Sequence, residues 1–184
     1  MSCDRVLDEL RERGLLLMQD KKLPSVVGII VGAPLASSWW SHPKGREIFG
    51  CLDVLTDDPD VLATRLIAGK VTFLHRSLWR PFLSIATANE PWQTRGLSAP
   101  ARALLKSVPT MAKGPAVREL QERLLVRAIE VHTESGRHEI RIEPWPKVKR
   151  AMAAEAARAE LERAAAAIGA LPRTLPWNRL SATH

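Results

Sequence analysis

The stretch IEVHTESGRHEIRI, residues 129–142, decides the fold because it reads as one β-hairpin with a self-consistent register. A two-residue turn at Ser135-Gly136 sets Ile129 opposite Ile142, Val131 opposite Ile140 and Thr133 opposite His138. The other face then pairs Glu130 with Arg141, His132 with Glu139 and Glu134 with Arg137. Alternation sends the apolar set inward and the charges into water, and a slip of one residue would undo both patterns. Opposite-charge pairs across a ladder contribute about 0.2–1 kcal/mol each, and Gly136 supplies the positive φ of such a turn. The register also puts His132 and His138 on opposite faces. The string His-Thr-Glu-Ser-Gly-Arg-His therefore reads as strand, not as a metal or catalytic motif.

Working outward, the hairpin is flanked by helical patterns. Residues 2–13 carry Val6, Leu7 and Leu10 at helical spacing, with Ser2 or Asp4 as N-cap and Gly14 as the interruption. The apolar run 26–31 suits a short buried helix or a buried strand. Ser41-His42-Pro43 starts a helix running to about Leu55, and Asp57-Asp58-Pro59 starts another that buries Val61, Leu62 and Leu66 and ends at Gly69. Val71, Leu74, Leu78, Phe82 and Ile85 line one helical stripe over 71–88, kinked or broken near Pro81. Further helices are expected at 97–108, capped by Ser98, and at 115–125, burying Val117, Leu120 and Leu124. After the hairpin, Pro144-Trp145-Pro146 leads into an alanine-rich helix over 147–168, closed by Gly169 and Pro172. The expected fold is mainly α with one β-hairpin: a single helical domain over 1–143, a C-terminal helix within 144–171 packed on it, and a tail at 172–184. That tail is loose unless Trp177 docks it.

Composition narrows the function. A chain of 184 residues, 46% hydrophobic and 26% charged, can bury one sizeable core and is globular rather than disordered. A net charge of +7 and a pI near 10.0 invite an anionic partner. Cys3 and Cys51 lack metal-ligand or redox spacing and no secretory signal is evident, so a reduced, cytoplasmic setting is expected. The longest apolar run, 23–36, holds Pro24 and Pro34 and is too short for a bilayer, so no membrane partner is expected. No Walker loop, GxGxxG, HExxH or GxSxG string occurs. No catalytic residue, metal or cofactor is assigned. His42 and His75 with Glu47 or Asp53 could assemble acid–base chemistry, yet nothing in their spacing requires it.

The order of three helices and a hairpin over about 71–143 resembles a winged-helix domain, a fold that places a helix in the DNA major groove. The connection 109–114 is longer than a helix-turn-helix turn, and Arg118 and Arg123 are balanced by Glu119 and Glu122. The runs 69–79 and 130–138, with Leu124-Leu125-Val126, are similar to a bacterial winged-helix family whose members include DNA glycosylases that unhook interstrand crosslinks. Those enzymes carry a Gln-x-Gln motif. Here Gln19, Gln93 and Gln121 are isolated, so the resemblance implies a DNA-related function and carries over no catalytic residue.

Positive charge concentrates elsewhere. Residues 61–113 hold eight cations against Glu90 alone, and the chain from Pro144 onward holds seven against three glutamates. Lys147, Lys149 and Arg150 sit beside Trp145 at the expected helix start, where the dipole disfavours cations and a bound anion would relieve the conflict. Residues 70–80 mix cations and aromatics as nucleic-acid surfaces do; Trp79 is expected in the core, whereas Arg76 and Arg80 are read as binding residues rather than as merely solvated cations. Of the adjacent Trp39 and Trp40, one is expected in the core and the other partly exposed and able to stack. The expected function is non-enzymatic DNA or other nucleic-acid binding. Arg76, Arg80, Lys147, Lys149 and Arg150 would hold phosphates, and Trp39 or Trp40 would stack. The alternatives are an interaction module, including a homodimer through the C-terminal helix, and a degenerate or unrecognised DNA-repair enzyme.

Overall fold

Segments expected to be helical at 57–69 and 71–88 contain a second β-hairpin. The computed structural model, which describes residues 2–132 and 138–181, places strand β2 at Val61–Ile67 and strand β3 at Lys70–His75. Ala68 and Gly69 join them with φ of 51° and 68°, the positive values a type I′ hairpin turn demands. The register shifts by one residue between Thr64 and Ile67. This irregularity lets the neighbours Leu66 and Ile67 both be buried. Strand β1, Leu15–Leu17, pairs with the other edge of β3, giving an antiparallel sheet of order β1-β3-β2. Asp57-Asp58-Pro59 ends helix α3, Gly45–Asp57, rather than starting a new one.

The misreading has a physical cause. This sheet is covered on both faces: Leu15, Leu17, Leu66 and Leu74 enter a central core, while Leu16 and Phe73 enter a second. Strands buried on both sides lose the polar alternation that marks a strand. Leu74, Leu78, Phe82 and Ile85 do share the central core, but β3, a 3-10 turn at Arg76–Leu78 and helix α4, Trp79–Ala86, deliver them in succession.

Helix α1, Ser2–Arg13, helix α2, Val26–Val31, and α3 build the second core. Gly14 ends α1 at φ 77°, its N–H donating to the Leu10 carbonyl at 2.9 Å. A Cβ there would stand 2.9 Å from Leu78 Cδ1. Ser25 caps α2 by accepting the Gly28 N–H, which makes the ambiguous run 26–31 a helix. Since α1 and α3 cover the same sheet face, Cys3 and Cys51 meet and form a disulfide with Cα atoms 5.4 Å apart. The thiols are not free, and cysteine usage no longer argues for a reducing compartment.

The expected hairpin forms as β5, Arg127–His132, and β6, His138–Glu143, with β4, Thr110–Met111, on the far side of β6. Its register differs from expectation by one residue: Ala128 faces Ile142, Ile129 faces Arg141, and position 132 faces position 138. The two histidine positions are thus paired across the ladder, not set on opposite faces. A third core explains the slip. Ile142 is fully buried among Ala101, Val117, Leu120 and Val126, with the small Ala128 beside it, and Ile129 stays outside that cluster. Arg141 pairs with Glu143 two residues along at 2.9 Å, and Arg127 reaches Glu143 across the ladder at 3.7 Å. The Ser135-Gly136 turn, Thr133 and the Glu134–Arg137 pair lie outside the described residues. A short helix α5, Pro91–Thr94, precedes helix α6, Ala99–Lys106, which with helix α7, Pro115–Glu122, completes this unit.

The C-terminal helix α8 spans Ala154–Ala167 and starts later than expected. Its Ala157, Leu161 and Ala165 pack in the central core with α4 residues Phe82 and Ile85. The tail docks: Trp177 is buried and donates to Glu162 Oε1 at 2.8 Å, and the Ala68 N–H donates to the Thr174 carbonyl at 2.8 Å. Among the described residues no helix is long and apolar enough to cross a membrane.

Candidate nucleic-acid interface

Four of the expected phosphate contacts gather around α4, and the fifth stands apart. Arg80, in the first turn of α4, donates from Nε to the Arg150 carbonyl at 3.1 Å. One turn on, Ser84 Oγ accepts the Met152 N–H at 2.9 Å. Trp145 anchors the start of this connection by donating to the Leu124 carbonyl at 2.9 Å and setting its ring edge-on to Phe82, centroids 5.0 Å apart. Residues 144–152 therefore run as a pinned, non-helical strap, which is why α8 begins only at Ala154. Lys147, Lys149 and Arg150 precede the first turn of α8, so the expected conflict with its dipole does not arise. Lys147 instead lines a cleft of about 400 Å³ with Ala86, Thr87 and Asn89, at the C-terminal end of α4. A cation is favoured there.

Arg80, Lys147, Lys149 and Arg150 are all exposed, and none has a carboxylate partner among the described residues. The strap itself contains no acid. Arg76 differs: its guanidinium meets Asp60 Oδ1 at 3.2 Å and its N–H donates to the Asp60 carbonyl, so its charge is already paired. Trp79 is half-buried and donates to the Leu74 carbonyl at 3.4 Å.

Trp39 and Trp40 lie at the second core, on a 3-10 turn at Trp39–Ser41. Their rings do not diverge. They stack at 4.1 Å and 21°, with Trp39 4% exposed and Trp40 69% exposed. Phe49 on α3 tilts toward Trp40 at 6.3 Å. A cleft of about 490 Å³ opens here, lined also by His42 and Arg46 and, among the described residues, by no carboxylate. A general acid–base pair around His42 is not assembled, and His75 Nδ1 is taken up by Ser77 Oγ at 3.1 Å. Among the described residues no group of His, Cys, Asp and Glu is arranged for a metal.

Sequence reading missed a polar cluster on the first sheet. Asp20 accepts from Lys70 Nζ at 2.6 Å and from the N–H groups of Lys22 and Leu23. Burial pushes its carboxyl up, but those hydrogen bonds and the Lys70 charge outweigh burial and hold it below the ordinary value. Arg65 shares the cleft with Asp20 and Lys70; burial, then the nearby Arg118, lower its pKa, with Glu122 opposing. Asp20 and Lys70 are fifty positions apart, so no local signal could have joined them. The three isolated glutamines all serve as ties: Gln19 to the Leu35 and Ser37 carbonyls, Gln93 to those of Ala86 and Arg123, Gln121 to Arg65.

The chain matches no family model, no curated protein and no solved structure.

Proposed function

We propose that this protein binds nucleic acid through the face formed by α4 and the strap 144–152, without chemistry on its ligand. One observation carries the reading: four exposed cations without carboxylate partners are held together by hydrogen bonds that leave their charges free. Such a surface gains from releasing the counterions of a phosphate backbone.

The fold reading extends this proposal. Each three-stranded sheet has its last strand in the middle, β1-β3-β2 and β4-β6-β5, and each closes with a hairpin that follows at least two helices. That is the strand order of a winged helix, so we read two such units in tandem, the second matching the 71–143 expectation only from α6 onward. The tip of the first hairpin is not a free wing: Ala68 is bonded to Thr174, and a Cβ on Gly69 would meet Glu122 at 2.9 Å. Along the exposed face of α3, Glu47, Asp53 and Asp57 outnumber Arg46, so a phosphate backbone following the length of that helix would be repelled. Both facts favour the α4 face. Kinship with the crosslink-glycosylase family belongs to the same proposal and suggests DNA as the ligand. Dimerisation through α8 has less support, since its apolar stripe is already buried in the central core.

The test is fluorescence anisotropy of labelled duplex and single-stranded DNA over a salt series. Duplex affinity should fall steeply with salt, and alanine at Lys147, Lys149 and Arg150 should flatten the log–log slope by about 2–3, given ~0.9 per phosphate contact. No binding at low salt would overturn the reading.

A further inference from the structure

We propose that the cleft over Trp40 receives one unpaired nucleotide, its base stacked on the Trp40 indole and its phosphate held by Arg46; this rests on the nucleic-acid reading above. Trp40 is two-thirds exposed, yet its ring is not loose. Trp39, buried in the second core, covers one face at 4.1 Å, and Phe49 closes one side. The stack is fixed by backbone: the Gly45 N–H donates to the His42 carbonyl at 2.7 Å, and a Cβ on Gly45 would stand 3.3 Å from the Trp40 carbonyl. An aromatic face immobilised before the ligand arrives loses little entropy on binding. Among the described residues the lining, apart from Pro43 and Gly45, is aromatic or basic. Arg46 has no carboxylate partner among the described residues, and Glu47, its neighbour, is engaged by Ser2. His42 Nδ1 accepts the Lys44 N–H at 3.1 Å, which in the neutral ring leaves Nε2–H as a donor.

Planar aromatic surface beside an uncompensated guanidinium matches a base joined to a phosphate better than it matches an apolar peptide. Only one indole face is free, so the site stacks a single base. A base inside a duplex has both faces covered by its neighbours, and only the end pairs expose one, which favours an unpaired base. Asp53 and Asp57, further along α3, set an acidic limit beyond which a strand is repelled.

The experiment measures binding of labelled oligo(dT), blunt duplex and free thymidine monophosphate to the wild type, Trp40→Ala, Trp40→Phe, Arg46→Gln and the triple alanine variant of the strap. Trp40→Ala should weaken oligo(dT) about tenfold and leave duplex within about twofold, Trp40→Phe restoring most of the loss. Arg46→Gln should lower the single-strand salt slope by about 0.7. Thermal unfolding checks that the variants fold. Oligo(dT) affinity unchanged in Trp40→Ala but lost in the triple variant would overturn the cleft and spare the nucleic-acid reading. Binding of the free nucleotide alone, abolished by Trp40→Ala, would overturn the strand as its source. No binding of any probe by the wild type would sink both proposals.

Discussion

The two sheets share a strand order and differ in what covers them. The β1-β3-β2 sheet lies between two cores, with Phe73 and Leu74 entering opposite ones, whereas the β4-β6-β5 sheet buries Ile142 on one face and exposes Arg141 on the other. Cover on both faces erases the period-two pattern; cover on one preserves it. The first sheet is therefore the structural centre of the molecule and nearly invisible in sequence, while the second is visible and peripheral. A pattern that is easy to read marks a surface element, not an important one.

The largest effect should come from breaking the centre. Phe73→Ala removes a buried ring from the middle strand of the first sheet and should cost about 3–5 kcal/mol in urea unfolding. A loss under about 1 kcal/mol would show that the second core does not depend on it. Next, the register of the second sheet can be tested by where a polar group is tolerated. Ala128→Asp, beside buried Ile142, should cost about 2–3 kcal/mol, and Ile129→Thr under about 1 kcal/mol. The reverse ranking would restore the register read from the sequence. The first hairpin's turn offers a pair of opposite sign. Gly69→Ala forces a side chain to φ 68° and onto Glu122, costing about 1–2 kcal/mol, while Ala68→Gly relieves φ 51° and should stabilise by about 0.5 kcal/mol.

The smallest effect compares the units in acid. Burial raises both Asp20 and Glu119, but hydrogen bonds from Lys70 and from Ser98, with nearby positive charge, leave each below its ordinary value of 3.8 or 4.5. A depressed carboxyl contributes stability that is fully present above the unfolded-state value and lost as pH falls through the folded-state value. Stability should thus drop below about pH 4, and Asp20→Asn and Glu119→Gln should each shrink that drop, by under about 1 kcal/mol given their partial exposure. Denaturation curves at neutral and acid pH that differ equally in all three proteins would refute the linkage.

Legibility followed the range of the interactions. The helix cap at Ser98, the stop at Gly14 and the two strands of the second hairpin depend on neighbours in the chain, and the local pattern carried them. The register of that hairpin did not follow, because Ile142 is placed by Leu120 and Val126 and by pairing with Thr110 on β4, all outside the quoted stretch. The cations of the strap were evident from composition. Their attachment to α4 was not, because Arg80 and Arg150 lie seventy positions apart. The tryptophan pair was half legible: one buried and one exposed was foreseen, but the stack between them depends on a 3-10 turn that Gly45 allows to sit close against α3.

By itself the sequence determined a basic chain with helices where caps and spacing agree, one exposed hairpin, and a cation-rich segment without acids. Those features rest on steric and electrostatic preferences within a few residues of chain. Tertiary structure alone decided the central sheet, the Cys3–Cys51 bridge, the docking of Trp177 and the gathering of Arg80 with the strap. Each joins residues far apart in sequence, and at the central sheet burial from two sides also removes the local contrast between polar and apolar that would have announced it.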